Sequence, residues 1–591
     1  MSVIRKHAAL WALLSCLTLA IAAPYLIPAN PDSAVFRSGT LGLILELACF
    51  YPIYQAASHA GKRRFVSGLV FGFLFAVALS IGSELFIYNG LLRGMGSLIR
   101  RAAVPLLATP ALGSLAARML AVREPMQPKK SLRLPLWAYA LFFLLCWLPV
   151  LLAFFPGALN YDFPGQYNQH LQHFYSNIHP LLHSALSNGL MALGEALGSP
   201  TLGVLINTIL QMILFALALA YSCVFVQRRG APAWVSLLMA AAYGLMPIFS
   251  VMAISTCKDT LFSASVLVML LKTWELIESP ETFLAHRGNI ALYIVCGVGS
   301  ALLRNNGLFA YALLLPSLLI VLRGYRKQVA LLLAACLCAS AAVTGVLTVA
   351  LSPEASPTFQ LYSIPAQQLV RAYNSGRMSD EEKAEIAEWY TSEEGYYTVR
   401  PHLGDAAKGY LDRPRIQTDG SDFMKLWAKD AKKYAHEYVE AFLLLNVGSW
   451  YPDDLSHSTI YPDASYNDKG YLQLEEYDMT DVGIQTSSFL PAVRKLFERI
   501  CRRNYYQKYP IVAILFSTAT PFWVIVFACA KLVSEKRGRF LPVALGVLGI
   551  WLSYLFGPCT LPRYTLPLFC MAPALLFASY LKPGESHDEN N

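Results

Sequence analysis

The sequence predicts an all-α polytopic membrane protein with about fourteen transmembrane helices and a mainly α-helical, extracytoplasmic soluble domain near its C-terminal end. Two observations predict this fold class. Hydrophobic residues make up 55% of the 591-residue chain and charged residues only 14%, whereas soluble proteins average about 25% charged residues. The apolar residues also cluster into segments of about 20 residues, which is the length that crosses the hydrocarbon core of a bilayer.

The candidate spans cover most of the chain, although several are short or interrupted by proline and glycine. They lie at residues 8–26, 38–56, 66–89, 103–122, 136–155, 201–226, 232–252, 260–277, 288–303, 307–322, 328–351, 509–532, 541–557 and 562–580. The first segment also has the small-residue cleavage pattern of a signal peptide at Ala20-Ile21-Ala22. We favour an uncleaved anchor because Pro24 follows closely.

Basic residues orient these spans, since cytoplasmic loops carry an excess of lysine and arginine. Six connections agree with one orientation: Arg5-Lys6, Lys62-Arg63-Arg64, Lys129-Lys130 with Arg133, Arg228-Arg229, Arg323 with Arg326-Lys327, and Lys531 with Lys536-Arg537. The sequence therefore predicts a multi-pass plasma-membrane protein with both termini in the cytoplasm. Arg93, Arg100 and Arg101 fall on the outer side in this scheme, which indicates either an interfacial helix or misread third and fourth spans.

The net charge of +9 comes mostly from these cytoplasmic residues. Basic loops beside spans are typical of contact with anionic membrane lipids. We therefore expect membrane lipids, and no nucleic acid, among the partners.

Composition divides the chain into four parts. Residues 1–125 form an N-terminal membrane module of about four spans, and residues 136–352 form a membrane core with an outer loop at 156–200. Residues 353–508 are polar and tyrosine-rich, and a stretch of about 155 residues is too long for an unstructured loop. They are predicted to form the extracytoplasmic domain, with a helix start at Ser379 and a helical run from Phe423 to Leu445. Residues 509–591 add three spans and a short cytoplasmic tail.

Chemically capable residues recur at one membrane edge. On the predicted topology the outer edge carries Asp162, His179 and His183 in the 156–200 loop, Lys258-Asp259, Arg304-Asn305, and Arg563-Tyr564. Charge near hydrocarbon is costly and marks a functional site by default. Four separate placements of charge at one depth predict a single shared site.

Each of these residues also has a structural interpretation. Asp162 is a possible loop or capping carboxylate, and Lys258-Asp259 a local pair at the interface. Arg304 and Arg563 are possible structural pairs or lipid anchors. His179 and His183 have a spacing that suits a metal, but a hydrogen-bonding role is favoured because no third ligand is evident.

A carboxylate beside several cations at a membrane edge suits one kind of chemistry. The carboxylate can accept a proton from a hydroxyl or hold a divalent ion. Lysine and arginine can hold a phosphate, and their charge would stabilise a leaving phosphate. A phosphate at this depth indicates a lipid-linked donor. The aromatic pairs Trp389-Tyr390, Tyr396-Tyr397 and Trp450-Tyr451 offer sugar-binding surface, although for each one the domain's own core is favoured.

The order of these motifs resembles the GT-C superfamily of membrane glycosyltransferases, which includes the protein O-mannosyltransferases and the aminoarabinose transferases. It is most similar to a bacterial family of multi-pass proteins of unknown function, over about residues 136–580. The shared motifs are Pro-Gly…Tyr-Asp at 156–162, Asn-x-His-Pro at 177–180, Lys-Asp-Thr-Leu-Phe at 258–262, Arg-Asn-Asn-Gly at 304–307, Trp-Tyr-Pro-Asp at 450–453 and Arg-Tyr-x-x-Pro at 563–567. Many superfamily members carry two adjacent acids in the first outer loop, whereas Asp162 stands alone here.

The resemblance implies a glycosyltransferase that moves a sugar, with inversion, from a polyprenyl-phosphate donor to a glycan, lipid or protein acceptor outside the cytoplasm. It implies that Asp162 is the catalytic carboxylate, acting as a base or holding a divalent ion such as Mg²⁺ or Mn²⁺, with Asp259 as a second acid. Phosphate and substrate contacts would come from Lys258, Arg304, Asn305, Arg563, Tyr564 and His179.

Two other functions remain open on the sequence alone. A transporter or flippase of lipid-linked glycans is the main alternative, but transporters often keep polar groups on broken helices at mid-membrane. Here the charges fall at span ends, which favours an enzyme. A structural membrane protein with a receptor-like outer domain leaves the clustering of the polar motifs unexplained.

Overall fold

The described residues fold mainly into α-helices. The computed structural model describes residues 1–26, 40–122, 133–354, 358–397, 401–452, 472, 474, 476–501 and 510–581. Within these ranges β-pairing is limited to five isolated bridges. The predicted all-α fold class is therefore confirmed.

The N-terminal module packs its helices through small residues. Its helices are α1 (Ser2–Lys6), α2 (Ala8–Leu26), α3 (Thr40–His59), α4 (Lys62–Tyr88) and α5 (Met95–Leu120). A Cβ atom added at Gly72 of α4 would lie 2.3 Å from the backbone nitrogen of Gly113 on α5. Helices in membranes associate by such close backbone approach, because burial from water contributes nothing between them.

The membrane core contains most of the long apolar helices. They are α6 (Leu136–Ala153), α7 (Asp162–Leu171), α8 (Leu181–Ala196), α9 (Pro200–Arg228), α10 (Ala233–Leu245), α11 (Pro247–Ile254), α12 (Lys258–Glu278), α13 (Pro280–Ala285), α14 (Arg287–Leu302), α15 (Leu308–Val321) and α16 (Arg326–Leu351). Helix α12 lies at the centre of this part, since most of its side chains are buried. It packs against α9, against α14 and against the last helix of the chain, Pro562–Tyr580.

Each predicted span coincides with a helix or a pair of helices in the described residues. Seven helices are long and apolar enough to cross a membrane, or eight if α10 and α11, bent by 52°, form one span. Other predicted spans correspond to shorter apolar helices such as α14, α15 and the helix Leu541–Tyr554. The structure thus supports a membrane protein, and the number fourteen stays a prediction.

Six helices between the core and the last spans form a separate apolar cluster. They are α17 (Ser363–Tyr373), α18 (Asp380–Ala387), α19 (Glu394–Tyr397), α20 (Gly404–Gly409), α21 (Arg413–Lys433) and α22 (Ala435–Leu445). The predicted helix start is confirmed, because Ser379 and Glu382 cap α18 reciprocally. The predicted helical run from Phe423 to Leu445 is confirmed with a break between α21 and α22 at Tyr434.

The aromatic residues of this region mostly form its own core. Trp389, Tyr390 and Tyr396 are buried in one cluster with Phe423. Tyr397 is the exception, since more than half of its surface is exposed. The core interpretation of Trp389, Tyr390 and Tyr396 is therefore confirmed.

The C-terminal part begins with an amphipathic helix and ends with the last apolar helices. They are α23 (Pro491–Ile500), α24 (Pro510–Phe516), α25 (Thr520–Ser534), α26 (Leu541–Tyr554) and α27 (Pro562–Tyr580). Proline occupies the first turn of α25, α26 and α27. It fits there because the first helical positions need no backbone donor.

The three cations that conflicted with the basic-loop pattern are paired with acids. Arg100 and Arg101 lie in the first turns of α5, and both contact the carboxylate of Glu84, at 3.4 Å and 3.1 Å. Arg93 pairs with Glu437 of α22. These ion pairs give the three cations a structural role between helices, and the orientation of the chain stays a prediction.

One segment links the N-terminal module to the start of α27. The ring of Tyr451 packs on Phe86 with 5.1 Å between centroids, and no side chain would fit at Gly82 beside it. Two residues before Tyr451, the Ser449 hydroxyl lies 3.0 Å from that of Thr560. Thr560 immediately precedes Leu561 and α27, so the segment contacts both parts.

Candidate functional site

The loop that ends at Asp162 is fixed to the loop that ends at Lys258. After α6 the backbone of Ala158 bonds to Ile254 and Thr256, with N–H···O distances of 3.0 Å in both directions. The backbone N–H of Asn160 then donates to the Thr256 hydroxyl at 3.1 Å. Because both loops continue directly into helices α7 and α12, this pairing brings the first residues of those helices together.

Gly157 makes the pairing possible. Its φ of +155° and its position against the Thr208 hydroxyl leave no room for a side chain, since a Cβ would lie 2.4 Å from that oxygen. The glycine of the Pro-Gly motif is thus required by close packing against α9.

Asp162 is the centre of a buried ion cluster. One of its carboxylate oxygens, Oδ2, accepts from Lys258 Nζ at 2.9 Å and from Arg563 Nη1 at 2.8 Å. Arg563 Nη1 also lies 3.5 Å from Asp259 Oδ2, and Asp259 in turn pairs with Arg304. Four regions remote in sequence therefore meet in one chain of alternating charges.

The cluster is shielded from solvent. The side chains of Asp259 and Arg563 are 0% and 3% exposed, and that of Asp162 is 13% exposed. Aromatic rings cover the guanidinium groups, with Arg304 4.2 Å from the Tyr564 ring centroid and Arg563 4.6 Å from that of Tyr161. Interactions between charges are stronger in such surroundings than in water.

Helix N-termini converge on the same place. Asp162 and Lys258 are the first residues of α7 and α12, and Arg563 is the second residue of α27. Arg304 directly precedes the turn that leads into α15. Helix N-termini carry partial positive charge and unpaired backbone N–H groups, so they add to the attraction for an anion.

The cations keep Asp162 ionised. Burial alone would raise the pKa of Asp162, but the charges of Arg563 and Lys258 outweigh it and hold that pKa well below its usual range. Burial, and next the charge of Lys258, lower the pKa of His179 to about 4. At neutral pH Asp162 is therefore a carboxylate and His179 is neutral. By formal charge the cluster contains three cations and two carboxylates.

The two histidines have different roles. His179 Nδ1 lies 3.4 Å from Lys258 Nζ, at the edge of the cluster. His183 is buried and lies 3.1 Å from the side-chain amide of Gln166. Pro180 separates His179 from α8, so the two do not share a helical face. The hydrogen-bonding interpretation is confirmed for His183.

The residues around Asp162 do not suit a divalent metal ion. Its Oδ2 faces an ammonium and a guanidinium group, which would repel Mg²⁺ or Mn²⁺. Within the described ranges no three His, Cys, Asp or Glu side chains are grouped as metal ligands. The surroundings of Asp162 thus favour its role as a base over its role as a metal ligand.

Several buried polar atoms of the cluster make no hydrogen bond within the protein. In the described part of the chain they include the donors Arg563 Nε and Asn160 Nδ2 and the acceptor Asp259 Oδ2. Buried polar groups are nearly always paired, and an orphan is costly. An anionic ligand with several oxygens would satisfy such donors.

Most of the predicted site residues meet, and two observations differ from the prediction. Asn305 is exposed and lies outside the ion cluster. Tyr161 was not predicted, yet its hydroxyl accepts from Arg563. Its place beside Asp162, within the Pro-Gly…Tyr-Asp motif, could have indicated it, but the chain contains 32 tyrosines and a single one does not stand out.

The family model for a family of unknown function, DUF6020, matches residues 170–591, more than two thirds of the chain. The chain belongs to this family. Lys258, Arg304 and Arg563 lie within the matched part, whereas Asp162 and the N-terminal module precede it. The predicted likeness to a family of unknown function is confirmed by this match. The resemblance of this DUF6020 protein to GT-C enzymes stays a prediction. No curated protein and no solved structure matches the chain.

Asp259 is expected to hold the cations in place, because its side chain is fully buried. Asp259→Asn would leave Arg304 without its carboxylate. Breaking a buried pair in this way costs about 3–5 kcal/mol. Thermal unfolding of the purified protein in detergent should therefore show a clear loss of stability.

Asp422→Asn is the matched control, since its pair with Lys425 is exposed and worth about 0–1 kcal/mol. If Asp259→Asn and the parent unfolded at the same temperature, a structural role of Asp259 would be contradicted.

Proposed function

We propose that this protein is a glycosyltransferase that moves a sugar from a polyprenyl-phosphate donor to a cell-envelope acceptor on the outer face of the plasma membrane. The observation that carries the proposal is the buried cluster of Lys258, Arg304 and Arg563 with two carboxylates. Its position at converging helix N-termini suits a phosphate at the membrane edge.

The charge of the site matches this reaction before and after transfer. Three cations and two carboxylates leave one net positive charge, which the single negative charge of a phosphodiester donor neutralises. After transfer the leaving lipid phosphate carries a second negative charge, and Asp162 carries the proton. The site is then again neutral, so the charge developing on the leaving group is balanced within the site.

The residues have distinct roles in the proposed reaction. The acceptor hydroxyl attacks the anomeric carbon while its proton passes to Asp162. The bond from that carbon to the phosphate oxygen breaks, and its electron pair stays with the lipid phosphate. Lys258, Arg304 and Arg563 hold this phosphate, and Asp259 positions the two arginines.

Two substrate contacts suggested by the resemblance keep secondary roles. Tyr564 supports Arg304 through its ring, which makes it a positioning residue. Asn305 is exposed beside the cluster, where it would meet the sugar or the acceptor rather than the phosphate.

We also propose that about fourteen spans place this site outside the cytoplasm, with both chain termini inside. The six basic connections support this orientation. Reporters at Arg228, at Arg323 and at the C-terminus should then report the cytoplasm, and reporters within 353–508 the outer side. A cytoplasmic signal from the 353–508 region would contradict both the orientation and the proposed site.

The transporter or flippase alternative has one observation in its favour. Helices α10 and α11 are bent by 52° at Pro247, and broken helices are common in transporters. A transporter would move the lipid-linked sugar across the bilayer with its glycosyl-phosphate bond intact. Release of free polyprenyl phosphate distinguishes the two functions.

Asp162→Asn should abolish transfer while leaving the protein folded, because the amide has nearly the same shape but cannot accept the proton. A general base contributes about 10²- to 10⁴-fold. The assay uses proteoliposomes supplied with single polyprenyl-phosphate sugars and an envelope fraction as acceptor. It measures sugar incorporation and release of polyprenyl phosphate.

The control for this assay is Asp422→Asn, an exposed carboxylate that should transfer at the parent rate. Near-parent transfer by folded Asp162→Asn would remove the base from the mechanism. Movement of intact donor across the bilayer, without release of polyprenyl phosphate, would favour the transporter.

A further inference from the structure

The carboxylate of Asp162 is paired with Lys258 and Arg563, two of the cations that a phosphate would need. A single oxygen, Oδ2, accepts from both Lys258 and Arg563, at 2.9 Å and 2.8 Å. We propose that Asp162 is a resident counter-ion, and that the phosphate of the donor displaces it from Lys258 and Arg563. The inference rests on the proposed function, because it concerns the same site: binding of the donor phosphate comes first and frees the carboxylate of Asp162 to act as the base.

The geometry supports displacement rather than simple addition. Arg563 already contacts Asp162, Asp259 and the hydroxyl of Tyr161, and among its donors only Nε has no partner in the described part of the chain. The Lys258 ammonium donates to Asp162 Oδ2 at 2.9 Å and lies 3.4 Å from His179 Nδ1, so two of its three N–H groups face these partners. A phosphate can therefore gain the two charge-assisted bonds that now go to Asp162 by taking the place of the carboxylate.

Asp162 can leave its place more easily than Asp259. Its side chain keeps some exposure, whereas that of Asp259 has none. It is also the first residue of the ten-residue helix α7, in which only Phe163, Gln166 and Tyr167 are buried. Asp259 lies in the first turn of the buried helix α12 and stays with Arg304.

Displacement would couple the base to the donor. While the carboxylate of Asp162 is held by the two cations, it attracts a proton poorly. Once the phosphate has taken those cations, the carboxylate faces an anion, which makes it a better proton acceptor. The groups that face it are then Lys258, Arg563, Tyr161, His179 and the phosphate itself. The acceptor hydroxyl thus meets an active base only in the presence of donor.

Binding of farnesyl phosphate, a short polyprenyl phosphate, tests the inference. Asp162→Asn removes the competing charge, so the Kd of this variant for farnesyl phosphate should be at least tenfold lower than that of the parent. This factor corresponds to one charge-assisted hydrogen bond that no longer has to be exchanged. The measurement is titration calorimetry on the full-length protein in nanodiscs.

Matched variants separate competition from other effects. Asp162→Glu retains the competing charge and should bind within about threefold of the parent, a change worth less than a charge-assisted bond. Asp162→Ser is a second neutral variant that should bind more tightly, in case the amide distorts the site. Asp422→Asn removes an equal charge far from the cluster and should leave Kd unchanged.

The possible outcomes distinguish the two proposals. If the parent binds and neither neutral variant binds more tightly, Asp162 is not displaced and the inference is wrong while the proposed function stands. If the parent does not bind farnesyl phosphate, and Arg563→Gln behaves like the parent, the phosphate site itself is wrong. Tighter binding by the neutral variants, together with their loss of transfer, is the expected result.

Discussion

Three buried cations share two carboxylates, and this imbalance of charge is the constraint on which the site depends. Taking an ion out of water costs several kcal/mol unless it is paired and hydrogen-bonded. The chain lowers this cost by bridging Asp162 and Asp259 with Arg563 and by covering the guanidinium groups with tyrosine rings. The net positive charge that remains is the physical reason to expect an anionic ligand.

The surrounding fold holds the parts of this cluster at fixed distances. The backbone pairing of Ala158 with Ile254 and Thr256 joins two of its loops. The third part, at Arg563, follows Thr560, which contacts the Ser449 segment. Tyr451 of that segment packs on Phe86 of the N-terminal module. The module, which precedes the part matched by the DUF6020 model, is therefore connected by packing to the start of α27.

The sequence predicted the helices, and the residues that form the site, better than it predicted which side chains pair within that site. Apolar length predicted the spans, and the placement of charge at one edge predicted that Asp162, Lys258, Arg304 and Arg563 would meet. It did not predict that Arg563 bridges two carboxylates, because pairing depends on packing between regions hundreds of residues apart. The spacing of the histidines gave no warning that Pro180 separates them. Helix ends also shifted, as at Met95, where paired arginines extend α5 beyond its apolar part.

Donor kinetics of Arg563→Gln test the central claim most directly. If Arg563 holds the lipid phosphate, loss of a charge-assisted bond worth about 1.5–3 kcal/mol should lower kcat/KM for the donor about 10- to 150-fold. The acceptor KM should change little, and Arg563→Lys should recover part of the loss, since an ammonium keeps the charge without the bidentate fork. Lys425→Gln, an exposed neutralisation, is the control. Equal donor kcat/KM in folded Arg563→Gln and in the parent would contradict the account.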